Sequence, residues 1–313
     1  MGTLTVYDVI IIGGGAAGLS AAQVLGRQQR RTLLVDGGPP RNNRADGIHM
    51  YLSRDGFPPL ELLSTGHGEL NAYPAVDTVH ARATAATGKI DDFTVSLDDG
   101  TERRARRLLL ATGQVDRPWT LPGLAERFGH SVMHCPFCHG WEARGKSIVV
   151  FGREPAEVML AAYLADRYSD DVVVATNGPH TLPEPILANL RALNIRVVEE
   201  TVTELDGELD DLTVHFADGE RLARQVAFHR APVELQTALA TQLGVELLPD
   251  GYVRVNEFAQ TTVPGVAAAG DVARLAALPD GLTLVSQAAA DGVRAAVWLE
   301  QGMFRADLPV TMG

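Results

Sequence analysis

The sequence predicts an α/β fold of two domains. Three observations predict it. The N-terminus reads as strand, glycine-rich turn, helix, strand and acid. Mid-chain the same order returns with a damaged turn. Near the C-terminus a further strand-like run ends in Gly270-Asp271.

The first unit begins at Tyr7-Asp8-Val9-Ile10-Ile11-Ile12, an apolar run of the kind a parallel sheet buries on both faces. Gly13-Gly14-Gly15-Ala16-Ala17-Gly18 follows, then a helical pattern from Leu19 to Arg27. Arg31-Thr32-Leu33-Leu34-Val35 is the next strand, closed by Asp36. This is the Rossmann-like fingerprint G-x-G-x-x-G in its full setting. Gly13, Gly15 and Gly18, with Ala16 and Ala17 between them, let backbone approach a pyrophosphate at the helix N-terminus. Asp36 is placed to accept hydrogen bonds from ribose hydroxyls. With both strands and the acid in place, a glycine turn that merely packs helix on strand is the weaker reading.

Composition narrows the partners. The chain is 46% hydrophobic and 21% charged, as a soluble chain with two ordinary cores should be. A net charge of −12 argues against nucleic acid or an anionic membrane as a partner surface. The apolar run from Val9 to Leu25 is no secretory signal, because no basic region precedes it and glycines punctuate it. No uninterrupted apolar stretch of about 20 residues exists, so no transmembrane helix is expected. The expected compartment is the cytoplasm.

The second unit starts at Ser147-Ile148-Val149-Val150-Phe151. Gly152-Arg153-Glu154-Pro155-Ala156-Glu157 follows, with a helix from Val158 to Leu164. Only the first glycine of a fingerprint survives. Glu154 and Glu157 bring two carboxylates to a phosphate position, and Pro155 removes an N–H donor. The next strand, residues 171–178, ends without a basic residue to hold a 2′-phosphate. The fold is expected to persist and NADPH binding to be lost. Phe93-Thr94-Val95-Ser96-Leu97 and Leu212-Thr213-Val214-His215-Phe216 are matching strands of the two units, each running into an Asp-Gly turn. The linkers, residues 116–123 and 228–232, are turn-rich and suit a hinge.

Between the first linker and the damaged turn lies His134-Cys135-Pro136-Phe137-Cys138-His139-Gly140-Trp141-Glu142, holding the only two cysteines of the chain. Four readings compete. C-x-x-C-H attaches c-type haem, but needs export and haem ligation. Zinc would need four ligands too close in sequence to wrap one ion, so no metal is expected. A structural disulfide is disfavoured in a reducing compartment. A redox-active pair fits best. His134 and His139 are the candidate bases, with His130 a weaker one. Phe137 and Trp141 suit either an apolar wall or ordinary packing.

Arg107-Leu108-Leu109-Leu110-Ala111-Thr112-Gly113 and residues 261–271 complete the pattern. Together with the fingerprint and the cysteine pair they resemble the thioredoxin reductase-like FAD/NAD(P)-binding flavoproteins, over nearly the whole chain. Within them, Cys-Pro-Phe-Cys-His-Gly beside a ruined NADPH site resembles the FAD-dependent dithiol oxidases that close disulfides in natural products such as gliotoxin, holomycin and romidepsin. The resemblance implies FAD as cofactor, held by Gly13, Gly15, Ala16, Ala17, Gly18, Asp36, Gly38 and Arg41. Ala111, Thr112, Gly113, Gly270, Asp271, Gln287 and Ala288 complete the implied cofactor set. Gln287 and Ala288 are expected to open a helix facing the flavin. It also implies an FAD-binding domain from residues 1–115 and 233–313, around a degenerate NAD(P)-type domain of residues 116–232. Cys138 becomes the flavin-side thiol and Cys135 the exchanging one. His139 stands where the reductases have aspartate.

The implied activity is oxidation of a small dithiol to a cyclic disulfide, with dioxygen reduced to hydrogen peroxide and no use of NADPH. The rival is a thioredoxin-type reductase fed by NADPH or ferredoxin, and a non-catalytic flavin sensor is a third reading. Such proteins are usually homodimers. The helical stretch Gly66 to Tyr73 and the loop Arg41-Asn42-Asn43-Arg44 are expected to serve a pocket or a dimer contact.

Overall fold

A computed structural model describes residues 6–309. The outermost residues of the expected first domain, 1–5 and 310–313, lie outside the described residues. The chain opens with β1 (Val6–Ile12), α1 (Ala16–Arg27), β2 (Thr32–Asp36), α2 (Pro59–Leu70) and β3 (Val76–His80). Next come β4 (Ala83–Lys89), β5 (Asp92–Leu97), β6 (Glu102–Leu110) and β7 (Gln114–Asp116). Then follow α3 (Leu124–Arg127), β8 (Val132–Met133), α4 (Pro136–His139), β9 (Ile148–Phe151), α5 (Pro155–Arg167) and β10 (Val172–Ala175). After these stand α6 (Glu184–Ala192), β11 (Arg196–Val198), β12 (Val202–Glu208), β13 (Asp211–Phe216), β14 (Arg221–Arg224) and β15 (Val226–His229). The chain closes with β16 (Val233–Leu235), α7 (Ala238–Gln242), β17 (Val253–Val255), β18 (Val266–Ala268), β19 (Ala273–Leu275) and α8 (Val285–Asp307).

These elements build two Rossmann-like layers. The first sheet runs β3-β2-β1-β6-β5-β4, and β18 joins it beside β6. β6 forks: residues 102–105 pair antiparallel with β5, while Leu108–Leu110 pair parallel with β18. A strand from late in the chain therefore completes a sheet begun at the N-terminus. The second sheet, β11-β10-β9-β15-β8, is parallel throughout and lies between those two stretches in sequence. The fold is thus α/β with the second domain inserted into the first.

Apolar runs drive both layers. Val9, Ile10 and Ile11 of β1 and Leu108 and Leu109 of β6 are fully buried, with cores on both faces of the sheet. Each such side chain contributes about 1.5–3 kcal/mol on burial. Ile148, Val149, Val150 and Phe151 of β9 do the same for the second sheet. α1 and α8 cross in close contact: a Cβ on Gly292 would lie 2.0 Å from the Ala17 carbonyl oxygen.

Three expectations shift. The helix expected from Gly66 begins earlier, at Pro59, and ends at Leu70. Proline at its first turn suits a helix start. The strand expected from Thr261 is confined to Val266–Ala268, because Val263-Pro264-Gly265-Val266 forms a turn: Gly265 has φ +84° and the Val266 N–H donates to the Val263 carbonyl. The helix expected to open at Gln287 opens at Val285. At the outer ends of the two linkers, β7 and β16 pair as an antiparallel ribbon, Gln114 opposite Leu235 and Asp116 opposite Val233.

Candidate active site

The glycine turn has the form its sequence requires. Gly13 has φ +119°, and a Cβ there would lie 2.1 Å from the Ala111 carbonyl oxygen. Gly15 caps α1 with no side-chain hydrogen bond, and nothing lies within 4 Å of where its Cβ would point. The first N–H groups of α1, from Ala16 to Gly18, lack intrahelical partners by geometry. An open, positively polarised cradle results, and it fits the pyrophosphate of FAD.

Asp36 lies beside this cradle. Its Oδ1 accepts from the Gly38 N–H at 3.2 Å, and Oδ2 lies 3.4 Å from His67 Nε2 and 3.8 Å from His80 Nδ1. His67 chiefly, against the effect of burial, holds the Asp36 carboxyl below its usual range. Thr112 donates its hydroxyl to the Gln236 carbonyl at 2.6 Å, which fixes the Ala111-Thr112-Gly113 corner. Asp271 is half-buried, and burial pushes its carboxyl up.

Arg41 is not a free cation. It grips Asp116 through two hydrogen bonds of 2.7 Å and Asp271 at 3.2 Å. Gln287 is turned to Asp291 at 2.8 Å, and the Ala288 N–H already donates to the Leu284 carbonyl. The free first-turn N–H groups of α8 are therefore those of Val285, Ser286 and Gln287.

The redox segment folds as one helical turn. Cys135 precedes α4 as its cap, and its sulfur accepts the Cys138 N–H at 3.3 Å. Pro136 suits the first position of that turn. Both cysteines are half-buried free thiols. A hydrogen bond from the Cys138 thiol, then the Cys138 and Phe137 N–H groups and the Arg41 charge, bring Cys135 down to about 7. The same pairing pushes Cys138 up. Arg41 and Asp271, from the first domain, both act on the Cys138 thiol across the seam between the two domains.

The flanking histidines differ from simple bases. His134 is held down to about 4, first by burial and then by Arg41, and its Nδ1 is buried without a partner. Burial also lowers His139, and neither of its ring nitrogens has a hydrogen bond. Both rings are neutral at neutral pH. His130 is engaged elsewhere, 2.6 Å from Asp46.

Sequence reading missed two neighbours. His49 meets His139 edge-on with ring centres 6.0 Å apart, and its Nε2 lies 3.6 Å from Glu142. Nothing in their spacing signals this, because the loop after β2 reaches across the seam. Phe137 and Trp141 are 61% and 68% exposed and stack on Tyr163 and Arg144, so they form a surface rim rather than a core. A cavity of about 340 Å³ also lies on the seam, lined by His134, Gln114, Tyr252, Arg230 and Asp280 but by neither cysteine. Among the described residues no His/Cys/Asp/Glu group could hold a metal, and no helix is long and apolar enough to cross a membrane.

The damaged turn is closed by its own chain. Glu157 accepts from the Arg153 N–H at 2.8 Å and the Glu154 N–H at 3.1 Å. Arg153 lies across the end of β10, with Nε 2.6 Å from the Thr176 carbonyl. The start of α5 is thus occupied by a carboxylate where a phosphate would bind.

Comparison with known proteins agrees with this architecture. The family model described as pyridine nucleotide-disulphide oxidoreductase matches residues 7–292. The chain is 34% identical over 248 residues to thioredoxin reductase tcpT of Claviceps purpurea, covering 74% of this chain and 75% of that one. The solved structure of HlmI is similar at 36% identity and a TM-score of 0.90, over 98% of this chain and 96% of that one. An oxidoreductase from Agrobacterium tumefaciens is similar at 35% identity and a TM-score of 0.86, over 96% and 99% of the two chains.

Proposed function

The chain belongs to the pyridine nucleotide-disulphide oxidoreductase family, whose thioredoxin reductase-like members are FAD flavoproteins, and from that premise we propose that it is a dithiol oxidase. Its substrate is a small dithiol, its product the cyclic disulfide, and its electron acceptor dioxygen. The observation that carries this reading is the Glu157 carboxylate on the backbone where NADPH would place its pyrophosphate. The likeness to tcpT and HlmI supports it. In this reading residues 1–115 and 233–313 hold FAD, and residues 116–232 present the cysteine pair.

The chemistry of the pair follows from its asymmetry. A substrate thiolate attacks Cys135 of the Cys135–Cys138 disulfide; the S–S bond breaks and Cys138 leaves. The largest cause of the high Cys138 pKa is the Cys135 sulfur. Once Cys135 is tied to substrate that cause is gone, so Cys138 leaves more readily. The second substrate thiol then attacks the substrate sulfur bonded to Cys135. Once the departed Cys138 has taken up a proton it again donates to Cys135, which is then a good leaving group, because a thiol near 7 leaves faster than one near its ordinary value. The neutral His139 ring, next in sequence to Cys138 and edge-on to His49, accepts the proton released from a substrate thiol. FAD, when bound, supplies the two-electron sink that restores the disulfide and passes those electrons to dioxygen. In balance, one dithiol and one dioxygen give one disulfide and one hydrogen peroxide.

Anaerobic titration tests the reading. Bleaching of the flavin by dithiothreitol and not by NADPH, with peroxide formed when air returns, is the expected result. Rapid bleaching by NADPH would overturn it and leave a thioredoxin-type reductase.

A further inference from the structure

The cluster around Asp36 contains a histidine that the fingerprint does not require. His67 stands on α2, and its Nδ1 lies 3.0 Å from the Leu63 carbonyl one turn earlier. A carbonyl oxygen can only accept, so Nδ1 must carry a proton. The other nitrogen, Nε2, is buried, lies at ion-pair distance from Asp36 Oδ2 (3.4 Å) and has no aligned hydrogen-bond partner. An ionised carboxylate also can only accept. In a neutral ring the Nε2 lone pair would face that carboxylate. Only the doubly protonated ring suits both neighbours.

We infer that His67 is a positioning residue for the cofactor: as an imidazolium it holds Asp36 ionised and oriented so that the carboxylate receives the vicinal hydroxyls of the FAD adenosine ribose. The geometry around Asp36 favours this. The Gly38 N–H takes one lone-pair direction on Oδ1, and the His67 ring lies against Oδ2 at 3.4 Å. A carboxylate offers about four such directions. One on each oxygen remains, which matches a pair of neighbouring hydroxyls. A Cβ on Gly14 would lie 2.4 Å from Asp36 Cγ, so the carboxylate is also confined against the glycine turn. The direction of both pKa shifts agrees: Asp36 raises His67 and His67 lowers Asp36.

The charged groups that face His67 are few. Asp36 ends β2, and His80 ends β3 with its ring centre 6.0 Å from that of His67. On its own helix Glu69 is turned to Gln23 of α1, and Glu61 stands in the first turn. His80 is 79% exposed and is the weaker partner of Asp36. The inference concerns the cofactor site alone and holds whichever acceptor takes the electrons.

Two readouts test it on the flavin-loaded protein. Nitrogen-15 NMR of the imidazoles should show both His67 nitrogens protonated at pH 6.5, the ordinary imidazole midpoint, and above it. FAD release, followed by recovery of flavin fluorescence on dilution, should quicken in the native protein as pH rises through the His67 titration. His67→Leu should release FAD about tenfold faster, as loss of a close, partly buried ion pair implies, with no such pH dependence. His67→Gln keeps an N–H donor without a charge, and should recover part of the affinity and stay flat with pH. A His67 ring with one bare nitrogen at pH 6.5 would overturn the inference. So would native-like release from His67→Leu. If the leucine variant does not fold, a native-like pH profile in His67→Gln overturns it equally.

Discussion

The Cys138 backbone N–H points at the Cys135 sulfur, 3.3 Å away across a single helical turn. With the Cys138 thiol also donating, the two sulfurs of one motif acquire opposite acidities.

Iodoacetamide should therefore alkylate Cys135 first in the reduced protein, with a midpoint at about 7. In Cys138→Ala the main stabilising donor is gone, and the midpoint should rise toward the ordinary 9.0. Mass spectrometry of the alkylated peptides across pH reads both. Preferential labelling of Cys138 would contradict the assignment of the exchanging thiol.

Arg41 links the entry linker, the end of the first sheet and the thiol pair. Arg41→Met leaves the half-buried Asp271 carboxylate without its cation, which should cost about 2–3 kcal/mol in urea unfolding. The same variant should raise the Cys135 midpoint, because Arg41 is one of the groups that lower it. Adding Asp271→Asn removes the stranded carboxyl and should restore much of the stability, as coupled neighbours do. Additive losses would show that the pair is not coupled.

Glu157→Ala removes the carboxylate from two backbone N–H groups at the start of α5. Stability should fall by about 1 kcal/mol. NADPH should still fail to reduce the flavin, because Glu154 remains and Pro155 offers no N–H. Stopped-flow mixing with NADPH checks this, and fast reduction would show that Glu157 alone was the barrier.

Burial depresses three imidazoles, those of His134, His139 and His229. The unfolded chain then binds more protons than the folded one below pH 6.5, so stability rises with pH in that window. It should be full above 6.5 and fall as pH drops, with the His134 share levelling near about 4. For His134 that share is on the order of 3 kcal/mol. Urea midpoints at several pH values, compared with those of His134→Gln, separate its part. An unchanged slope in that variant would show that its ring is not held neutral.

Much of this was legible in the sequence. The apolar runs of β1 and β6 and the Gly13–Gly18 turn are local signals, and each fixes its own backbone. Glu154 and Glu157 were legible as a lesion. That Glu157 folds back as a cap was not read, although its spacing from residue 154 permits it. The start of α2 at Pro59 is poorly legible, because Gly66 and Gly68 weaken its helical pattern. Gly66 has a tertiary reason: a Cβ there would lie 3.2 Å from Leu19 of α1. The pairs Arg41–Asp116, His49–Glu142 and His67–Asp36 join residues from separate elements. No period or motif encodes such meetings; they exist only once the sheets have formed.

Arg41 holds Asp116, Arg44 reaches the Ala125 carbonyl, Asp46 meets His130 and His49 meets Glu142. A two-stranded ribbon by itself is an axle about which the inserted domain could turn. These four contacts are a brake on that axle. A catalyst braked in the orientation it works in has no swing to complete between half-reactions. Its maximal turnover should then be indifferent to added sucrose or glycerol, since solvent friction has no large motion to oppose.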